Sequence, residues 1–214
     1  ALGTSASGNG ISPDTYGYSY INSPAIAVGK SDPVVVWSQY GIFVKKWNGS
    51  AWVEMGAGSA SGSGIDSGYN GYEPSIVLDA SEYPIVAWSH YDKNYEIYVK
   101  RWNGSAWVEM GTGSASGSGI SKTAGASKKP MVAIDSKGYP SVVWVETSGY
   151  NSYIYGKRWN GTAWVDMGKY SAYSKGISLD GKAGSPSLAY DAKSGHMFLA
   201  WRSNYDILVK RFIP

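Results

Sequence analysis

VKRWNGSAWVEMGTGSASGSGI, residues 99–120, decides the fold of this chain, because near-copies of the same stretch occur elsewhere in it. Residues 44–65 are VKKWNGSAWVEMGAGSASGSGI, and residues 156–177 are a looser copy, GKRWNGTAWVDMGKYSAYSKGI. Residues 1–11 match the second half of this cassette, and residues 209–212 match its first half. Such self-similarity is the signature of a repeat architecture.

Three kinds of landmark measure the repeat. The cassette Trp recurs at 47, 102 and 159, a second Trp at 37, 88, 144 and 201, and a Pro at 24, 74, 130 and 186. Each series gives a spacing of 50 to 57 residues. We therefore divide one domain, residues 1–214, into four units at approximately 11–64, 65–119, 120–176 and 177–214 together with 1–10.

The second unit contains four candidate strands. Short apolar runs at 74–79 and 84–88 each begin with proline, residues 96–102 alternate, and a last run covers 105–110. These patterns are typical of β-strands, and the polar stretches between them predict loops and turns. Four antiparallel strands in a repeat of this length form the blade of a β-propeller. The chain is therefore predicted to be an all-β propeller of four blades.

The hairpin in each cassette carries an Asn-Gly pair, which favours a two-residue type I′ turn. If Asn48 and Gly49 are the two turn residues, Glu54 pairs with Phe43. By the same alignment Ala1 pairs near Leu208, so the N-terminal segment is expected to complete the last blade and close the ring. The closing strand would be short, which allows oligomers through strand exchange. A fragment or circular shift of a larger ring remains the alternative.

The composition excludes several classes of protein. Charged residues make up 16% of the 214 residues and the net charge is +3, so no nucleic-acid surface is expected. Without cysteine and with two histidines, neither a disulfide framework nor a three-ligand metal site is expected, and no cofactor is implied. No apolar run is long enough to cross a membrane, and the first residues lack a basic start followed by an apolar run, so a signal peptide is expected to be absent or already removed. Abundant Gly, Tyr and Trp favour an extracellular, cell-surface or virion-surface location.

The repeat resembles a family of bacterial and archaeal secreted or surface propellers. Their repeats are roughly P-S-x-A-x-D-x-x-G-x-P-x-V-A-W, matched here by PSIVLDASEYPIVAW at residues 74–88. The first unit departs from the pattern with Gly29 in place of the Asp, and the fourth departs near His196. A fainter resemblance links the pattern to the Asp-box turns of sialidase propellers, but their motif order is missing. The resemblance implies the fold and little about activity.

Several acidic and amide residues recur in three of the four units and are assigned to the fold. Asp79, Asp135 and Asp191 enter tight turns, where Asp bonds its own backbone; a ring of calcium ligands is the alternative. Glu54, Glu109 and Asp166 are interpreted as solvated edge charges. The Asn-Gly-Ser/Thr sequences also fit the glycosylation pattern, although the turn alone explains them.

Aromatic residues are the candidate ligand-binding residues. Tyrosines lie in the long, divergent loops that should emerge on one face, and tryptophans flank each hairpin turn, where they pack between blades or stack on a sugar. The candidates are Tyr40, Tyr91, Tyr95, Tyr150, Tyr153, Tyr205, Trp47, Trp52, Trp102, Trp107, Trp159 and Trp164.

Three functions are compatible with these features. A non-catalytic, lectin-like module with repeated aromatic sites is favoured, binding a glycan through avidity. A structural or adhesive domain that binds a surface protein is the alternative. A glycoside hydrolase is least favoured, because it needs a polar cluster that breaks the repeat symmetry and the sequence presents none. The chain is accordingly predicted not to be an enzyme.

Overall fold

The structure is a computed structural model that describes residues 2–3, 5–7, 10–12, 21–66 and 68–213. These residues form β-strands and no α-helix, which confirms the predicted all-β class. The strands are β1 (Asn22–Val28), β2 (Pro33–Ser38), β3 (Ile42–Trp47), β4 (Trp52–Glu54), β5 (Gly71–Leu78), β6 (Pro84–Tyr91), β7 (Tyr95–Trp102), β8 (Trp107–Glu109), β9 (Ala126–Ile134), β10 (Pro140–Ser148), β11 (Asn151–Trp159), β12 (Trp164–Asp166), β13 (Ala183–Asp191), β14 (His196–Ser203) and β15 (Asp206–Phe212). No described segment is a helix long and apolar enough to cross a membrane.

The strands form four antiparallel sheets, each in simple sequence order, and each sheet is one propeller blade. Blades 1, 2 and 3 contain β1–β4, β5–β8 and β9–β12, and blade 4 contains β13–β15. The first strands β1, β5, β9 and β13 are innermost and surround a cavity of about 430 Å³. The predicted four-bladed propeller is therefore confirmed.

The hydrophobic core lies between neighbouring blades. One apolar cluster joins blades 1 and 2, a second joins blades 2 and 3, and a third joins blades 3 and 4. Trp88 and Trp144, from the second strands of blades 2 and 3, are fully buried. Because both faces of these blades are covered, their inner strands are apolar almost throughout.

The cassette hairpin turns one residue later than the sequence analysis predicts. Trp47 pairs with Trp52 and Lys45 with Glu54, so the two turn residues are Gly49 and Ser50. Gly49 has φ +93°, which suits the first position of a type II′ turn. The predicted pairing of Glu54 with Phe43 is wrong, because Asn48 is needed as an acceptor: its Oδ1 receives the N–H groups of Ser50 and Ala51 at 3.0 and 2.8 Å.

The first strand of every blade carries a β-bulge at the same place. The residue before the recurring proline has a left-handed backbone in all four blades: Ser23, Glu73, Lys129 and Ser185, with φ between 50° and 55°. The register of strand pairing shifts at each of these positions. A residue before proline normally avoids this region, and such strain collects near functional sites. The bulges bring these four residues to the mouth of the axial cavity.

The turn interpretation of the recurring aspartates agrees with their hydrogen bonds. Asp79 Oδ1 accepts the N–H groups of Ser81 and Tyr83, at 2.8 and 2.9 Å. Asp135 and Asp191 accept equivalent backbone N–H groups. The carboxylates are thus occupied within their own turns, and no group of three candidate metal ligands occurs among the described residues.

The predicted closure of the ring by strand pairing is not found in the described part of the chain. Ala1 lies outside the described residues, and no described segment pairs with the outer edge of β15. The described N-terminal residues pack on blade 1 instead: Lys45 Nζ donates to the Ile11 carbonyl at 2.8 Å, as Lys100 donates to Ile65. They therefore follow the path of a cassette tail from a preceding blade.

The third strand of blade 4 is correspondingly uncovered. Ile207 and Val209 are 71% and 65% exposed, whereas their counterparts Ile97 and Val99 in blade 2 are fully buried. The same apolar sequence is a core strand in blade 2 and a surface strand in blade 4, because blade 3 covers β7 whereas none of the described residues covers β15.

Candidate functional site

The connections between the second and third strands, which are only two or three residues long and not the long loops expected, emerge at one end of the propeller together with the starts of the first strands. This end is here called the loop face. A second cavity of about 240 Å³ opens there, lined by Asn22, Ser23, Ser38, Tyr72, Glu73, Tyr95 and Lys128. It shares Ser23 and Glu73 with the axial cavity. The two cavities together form the axial groove.

Glu73 occupies the junction of the two cavities. Its Oε2 accepts the backbone N–H of Lys129 at 2.9 Å and lies 3.4 Å from Ser89 Oγ. The bulge at Glu73 places this half-buried carboxylate beside the neighbouring blade. The corresponding residues of the other blades are Ser23, Lys129 and Ser185, so the carboxylate occurs in one blade only.

Tyrosines form one wall of the axial groove. The Tyr95 ring lies 4.8 Å from the Tyr91 ring and 6.0 Å from the Tyr72 ring, measured between centroids. Lys128 Nζ lies 3.7 Å from the centroid of Tyr95. Tyr91 and Tyr95 flank the short β6–β7 connection, which holds them on one rigid hairpin.

A buried polar residue follows each recurring Trp by two positions. These residues are Gln39, His90, Glu146 and Ser203. The Trp37 indole donates to Gln39 Oε1 at 3.2 Å, and the Trp144 indole donates to Glu146 Oε2 at 3.1 Å. This position, at the loop-face end of each second strand, thus holds an amide, an imidazole, a carboxyl and a hydroxyl group in blades 1 to 4.

Glu96 and Glu146 are buried carboxylates at the junction of blades 2 and 3. Ser121 Oγ donates to Glu96, and Ser127 Oγ donates to Glu146 at 2.6 Å. Burial raises the pKa of Glu96, an effect that the Ser121 hydrogen bond opposes and that the nearby Glu146 carboxylate reinforces. The environment of Glu96 therefore favours its protonated form.

His90 and Asp66 form a buried pair at the junction of blades 1 and 2. His90 Nδ1 lies 2.9 Å from Asp66 Oδ1, and the imidazole stacks on Tyr98 at 4.4 Å. Burial, followed by nearby carboxylates including Asp66, raises the pKa of Tyr98 to about 12. The Asp66 carboxylate thus orients the imidazole against a phenol that stays neutral at physiological pH.

The raised pKa of Glu96 predicts an effect on stability. The folded state holds this proton more tightly than the unfolded chain, so its contribution is full at low pH and is lost as the pH rises through the raised folded pKa. We expect Glu96→Gln, which cannot ionise, to gain stability relative to the wild type as the pH rises across that window. Denaturant unfolding of both proteins at a series of pH values measures the difference.

Glu109 provides a control of opposite sign. Burial opposes ionisation there, but hydrogen bonds from Ser116, Gly113 and Ala115 outweigh it and lower the pKa of Glu109. Its contribution is present above the ordinary carboxyl pKa and is lost as the pH falls through the lowered folded pKa. Glu109→Gln should therefore lose stability relative to the wild type as the pH rises. Parallel pH profiles for the two variants would contradict both assignments.

The predicted tyrosines lie in different environments. Tyr95 lines the axial groove together with Tyr72, which was not among the candidates, and the Tyr91 ring packs against Tyr95. Tyr150 and Tyr205 are fully exposed at loop tips. Tyr40 is exposed with a left-handed backbone, and Tyr153 is half-buried in β11. The structure thus brings two of the six predicted tyrosines together.

The predicted tryptophans form three pairs at the rim, far from the axis. Each pair, Trp47/Trp52, Trp102/Trp107 and Trp159/Trp164, has its ring centroids 5.8 Å apart. The Trp107 and Trp164 indoles donate to the Met55 and Met110 carbonyls of the preceding cassette. Two of the pairs line rim cavities of about 360 and 280 Å³.

The expectation that no polar cluster breaks the repeat symmetry is wrong. Glu73, Glu96, Glu146, His90 and Asp66 all lie on the loop-face side of blades 2 and 3, and none has a chemical equivalent in all blades. Alignment of the four units would have exposed them as departures from the repeat. Because these residues do not recur, the repeat pattern alone does not single them out.

Comparisons of the sequence identify no relative: no protein-family model and no curated protein matches it. Solved structures do match. An endo-arabinase from Bacteroides thetaiotaomicron is 15% identical with a TM-score of 0.55, over 88% of this chain and 73% of that one. An endo-1,4-beta-xylanase from the same organism is 11% identical with a TM-score of 0.53, over 95% and 79%. A GH93 alpha-L-arabinofuranosidase of Fusarium graminearum is 12% identical with a TM-score of 0.56, over 95% and 66%.

These neighbours correct the functional prediction. At such identities the likeness establishes the fold, and the proteins that share it are named as glycan-cleaving enzymes. The predictions of a non-catalytic, lectin-like module and of a chain without enzymatic activity are contradicted by this finding. Both predictions rested on the apparent lack of polar residues that occur in one blade only. The loop face contains such residues.

Proposed function

We propose that this chain is a glycan-processing enzyme of the glycoside hydrolase type, with its active site in the axial groove and the half-buried Glu73 as a catalytic carboxylate. The observation that carries the proposal is the position of Glu73, at the junction of the two cavities and in one blade only. A carboxylate required by the fold would recur in other blades, as the turn aspartates do in three of the four. Its single occurrence in an accessible groove is typical of a catalytic group.

Glycoside hydrolysis generally uses two carboxyl groups, one of which donates a proton to the leaving oxygen. Glu96 is the candidate for the proton donor: it is a buried carboxyl next to Tyr95 in β7, although it lines neither cavity of the axial groove itself. Burial raises the pKa of Glu96, and a general acid must carry its proton near the working pH. Glu73 then acts as the base or nucleophile on the substrate side of the groove.

The remaining groups of the groove suit a sugar. Tyr72 and Tyr95 offer aromatic surface at low entropic cost, and Asn22, Ser23 and Ser38 offer hydrogen-bonding groups. Such a site combines apolar contact area with a few polar groups that fix orientation. The arrangement supports recognition of a pyranose or furanose ring beside Glu73.

Glu73→Gln tests this proposal. It retains the shape and the acceptor for the Lys129 N–H but cannot act as base or nucleophile, so activity should fall by at least about 100-fold. The measurement is release of reducing sugar from a panel of plant and microbial oligosaccharides. Circular dichroism and thermal unfolding establish that the variant is folded.

Asp92→Asn is the matched control, since Asp92 is an exposed carboxylate of the same blade that does not line either cavity of the groove. Its activity should equal that of the wild type. Full activity of Glu73→Gln, or no cleavage of any glycan in the panel by the wild type, would overturn the proposal.

A further inference from the structure

Lys128 is a cation of the axial groove that the proposed hydrolysis does not use. Its Nζ lies 3.7 Å from the centroid of Tyr95, and its side chain is half-buried where β9 begins beside blade 2. Within the described part of the chain, the one ion pair joins His90 to Asp66. The Lys128 ammonium thus packs on an aromatic face without a carboxylate partner among the described residues.

Lys129 adds a second cation at the same place. It is exposed at the mouth of the axial cavity, and its backbone N–H is held by Glu73. The corresponding residue pairs in the other blades are Asn22-Ser23, Tyr72-Glu73 and Gly184-Ser185. At this position two consecutive lysines therefore occur in one blade only, and that blade is next to the one that supplies Glu73.

The charges of the groove favour an anion. An ammonium has three N–H donors, and the face of Tyr95 occupies one side of it, which leaves donors for the groove. Lys128 and Lys129 together exceed the single Glu73 carboxylate, so the local charge is positive. A neutral sugar forms no ionic interaction with this excess positive charge. An anionic group would accept charge-assisted hydrogen bonds from the lysine ammonium groups.

We infer that the axial groove binds glycans that carry an anionic substituent, a uronic acid carboxylate or a sulfate ester, with Lys128 as the residue that contacts the anion. Lys128 offsets the repulsion that Glu73 would otherwise exert on such a substituent. As a statement about the substrate that is cleaved, this inference rests on the proposed function. Binding of the anionic glycan is measured separately from cleavage.

Lys128→Met tests the inference, because methionine keeps an apolar stem over Tyr95 and removes the charge. We expect the wild type to bind acidic oligosaccharides, oligogalacturonate or sulfated galactan fragments, more tightly than neutral oligosaccharides of equal length. Lys128→Met should lose about tenfold to a hundredfold of that affinity in calorimetric titration. Added salt should weaken the wild-type binding.

Lys193→Met, at an exposed lysine of the turn between β13 and β14, is the control and should bind like the wild type. The uronate and sulfate arms identify which anion is preferred. Equal affinity for acidic and neutral glycans, or no effect of Lys128→Met, overturns the inference.

The outcomes separate this inference from the proposed function. Cleavage of neutral glycans alone, with Glu73→Gln inactive and Lys128→Met active, would leave the hydrolase proposal intact and remove the anionic substrate. Lys128-dependent binding of acidic glycans without any cleavage would support anion recognition and remove the hydrolase. A wild type that neither binds nor cleaves any glycan would overturn both.

Discussion

Replacing Gly119 with alanine is expected to lower the free energy of unfolding by about 3 kcal/mol, from overpacking together with backbone strain. Gly119 has φ +56°, and a Cβ atom there would lie 2.1 Å from the Ile97 carbonyl oxygen. That carbonyl accepts the Ile120 N–H at 2.8 Å, so the backbone cannot yield without breaking the bond between the cassette tail and β7. Gly64 and Gly176 make the same close approach in blades 1 and 3.

Gly117 is the matched control for this prediction. It lies in the same loop with φ +55°, and an added Cβ would meet nothing within 4 Å. In Gly117→Ala the free energy of unfolding should therefore fall by only about 1 kcal/mol, the cost of placing alanine in a left-handed backbone conformation. Guanidinium unfolding of the two variants isolates the effect of the carbonyl contact. Equal losses would show that the cassette tail does not approach β7 as described.

Trp144→Ala is expected to lower the free energy of unfolding by about 3–5 kcal/mol. The indole is fully buried in the cluster between blades 2 and 3, with its ring 6.2 Å from that of Tyr155. Its Nε1 donates to Glu146 at 3.1 Å, so the substitution also removes a hydrogen bond from a buried carboxylate. Denaturant unfolding followed by far-UV circular dichroism measures the loss.

Phenylalanine at the two equivalent tryptophans separates packing from hydrogen bonding. Trp144→Phe removes the indole N–H that donates to Glu146, and the free energy of unfolding should fall by about 1–3 kcal/mol because of the lost hydrogen bond. The Trp88 indole is equally buried but has no hydrogen-bond partner among the described residues, so Trp88→Phe removes only indole volume. Trp144→Phe is therefore expected to be the more destabilised variant. The reverse order would contradict the role assigned to the Trp144–Glu146 hydrogen bond.

The positions of the strands could be predicted more closely than their ends and registers. The second strand of blade 2 was expected at 84–88 and continues to Tyr91, because polar residues there still pair with the first and third strands. The hairpin register was one residue off, since both Asn48-Gly49 and Gly49-Ser50 satisfy a two-residue turn. The Asn48 side chain favours the Gly49-Ser50 turn, because it accepts the N–H groups that follow Gly49. The alternation of apolar residues in the strands does not reveal this preference.

The candidate site could be predicted in part. Tyr91 and Tyr95 were predicted as ligand-binding residues because they lie in a divergent polar loop, and the structure places their ring centroids 4.8 Å apart across a short connection. Glu73 was assigned to a polar loop, whereas it belongs to a bulged strand at the axis. A bulge depends on how two strands align, so the sequence of one strand does not announce it.

The sequence alone determined that this protein consists of four near-copies of one antiparallel sheet, because turn acceptors and apolar alternation act within a single blade. Tertiary structure decided which side chains meet in the axial groove and which faces stay uncovered. Glu73 and Lys129 are 56 residues apart and touch only when adjacent blades pack. Ile207 has nearly the same sequence neighbours as the buried Ile97 but is exposed, because no described segment packs over it. The burial of such a residue therefore depends on which segments lie beside it in space.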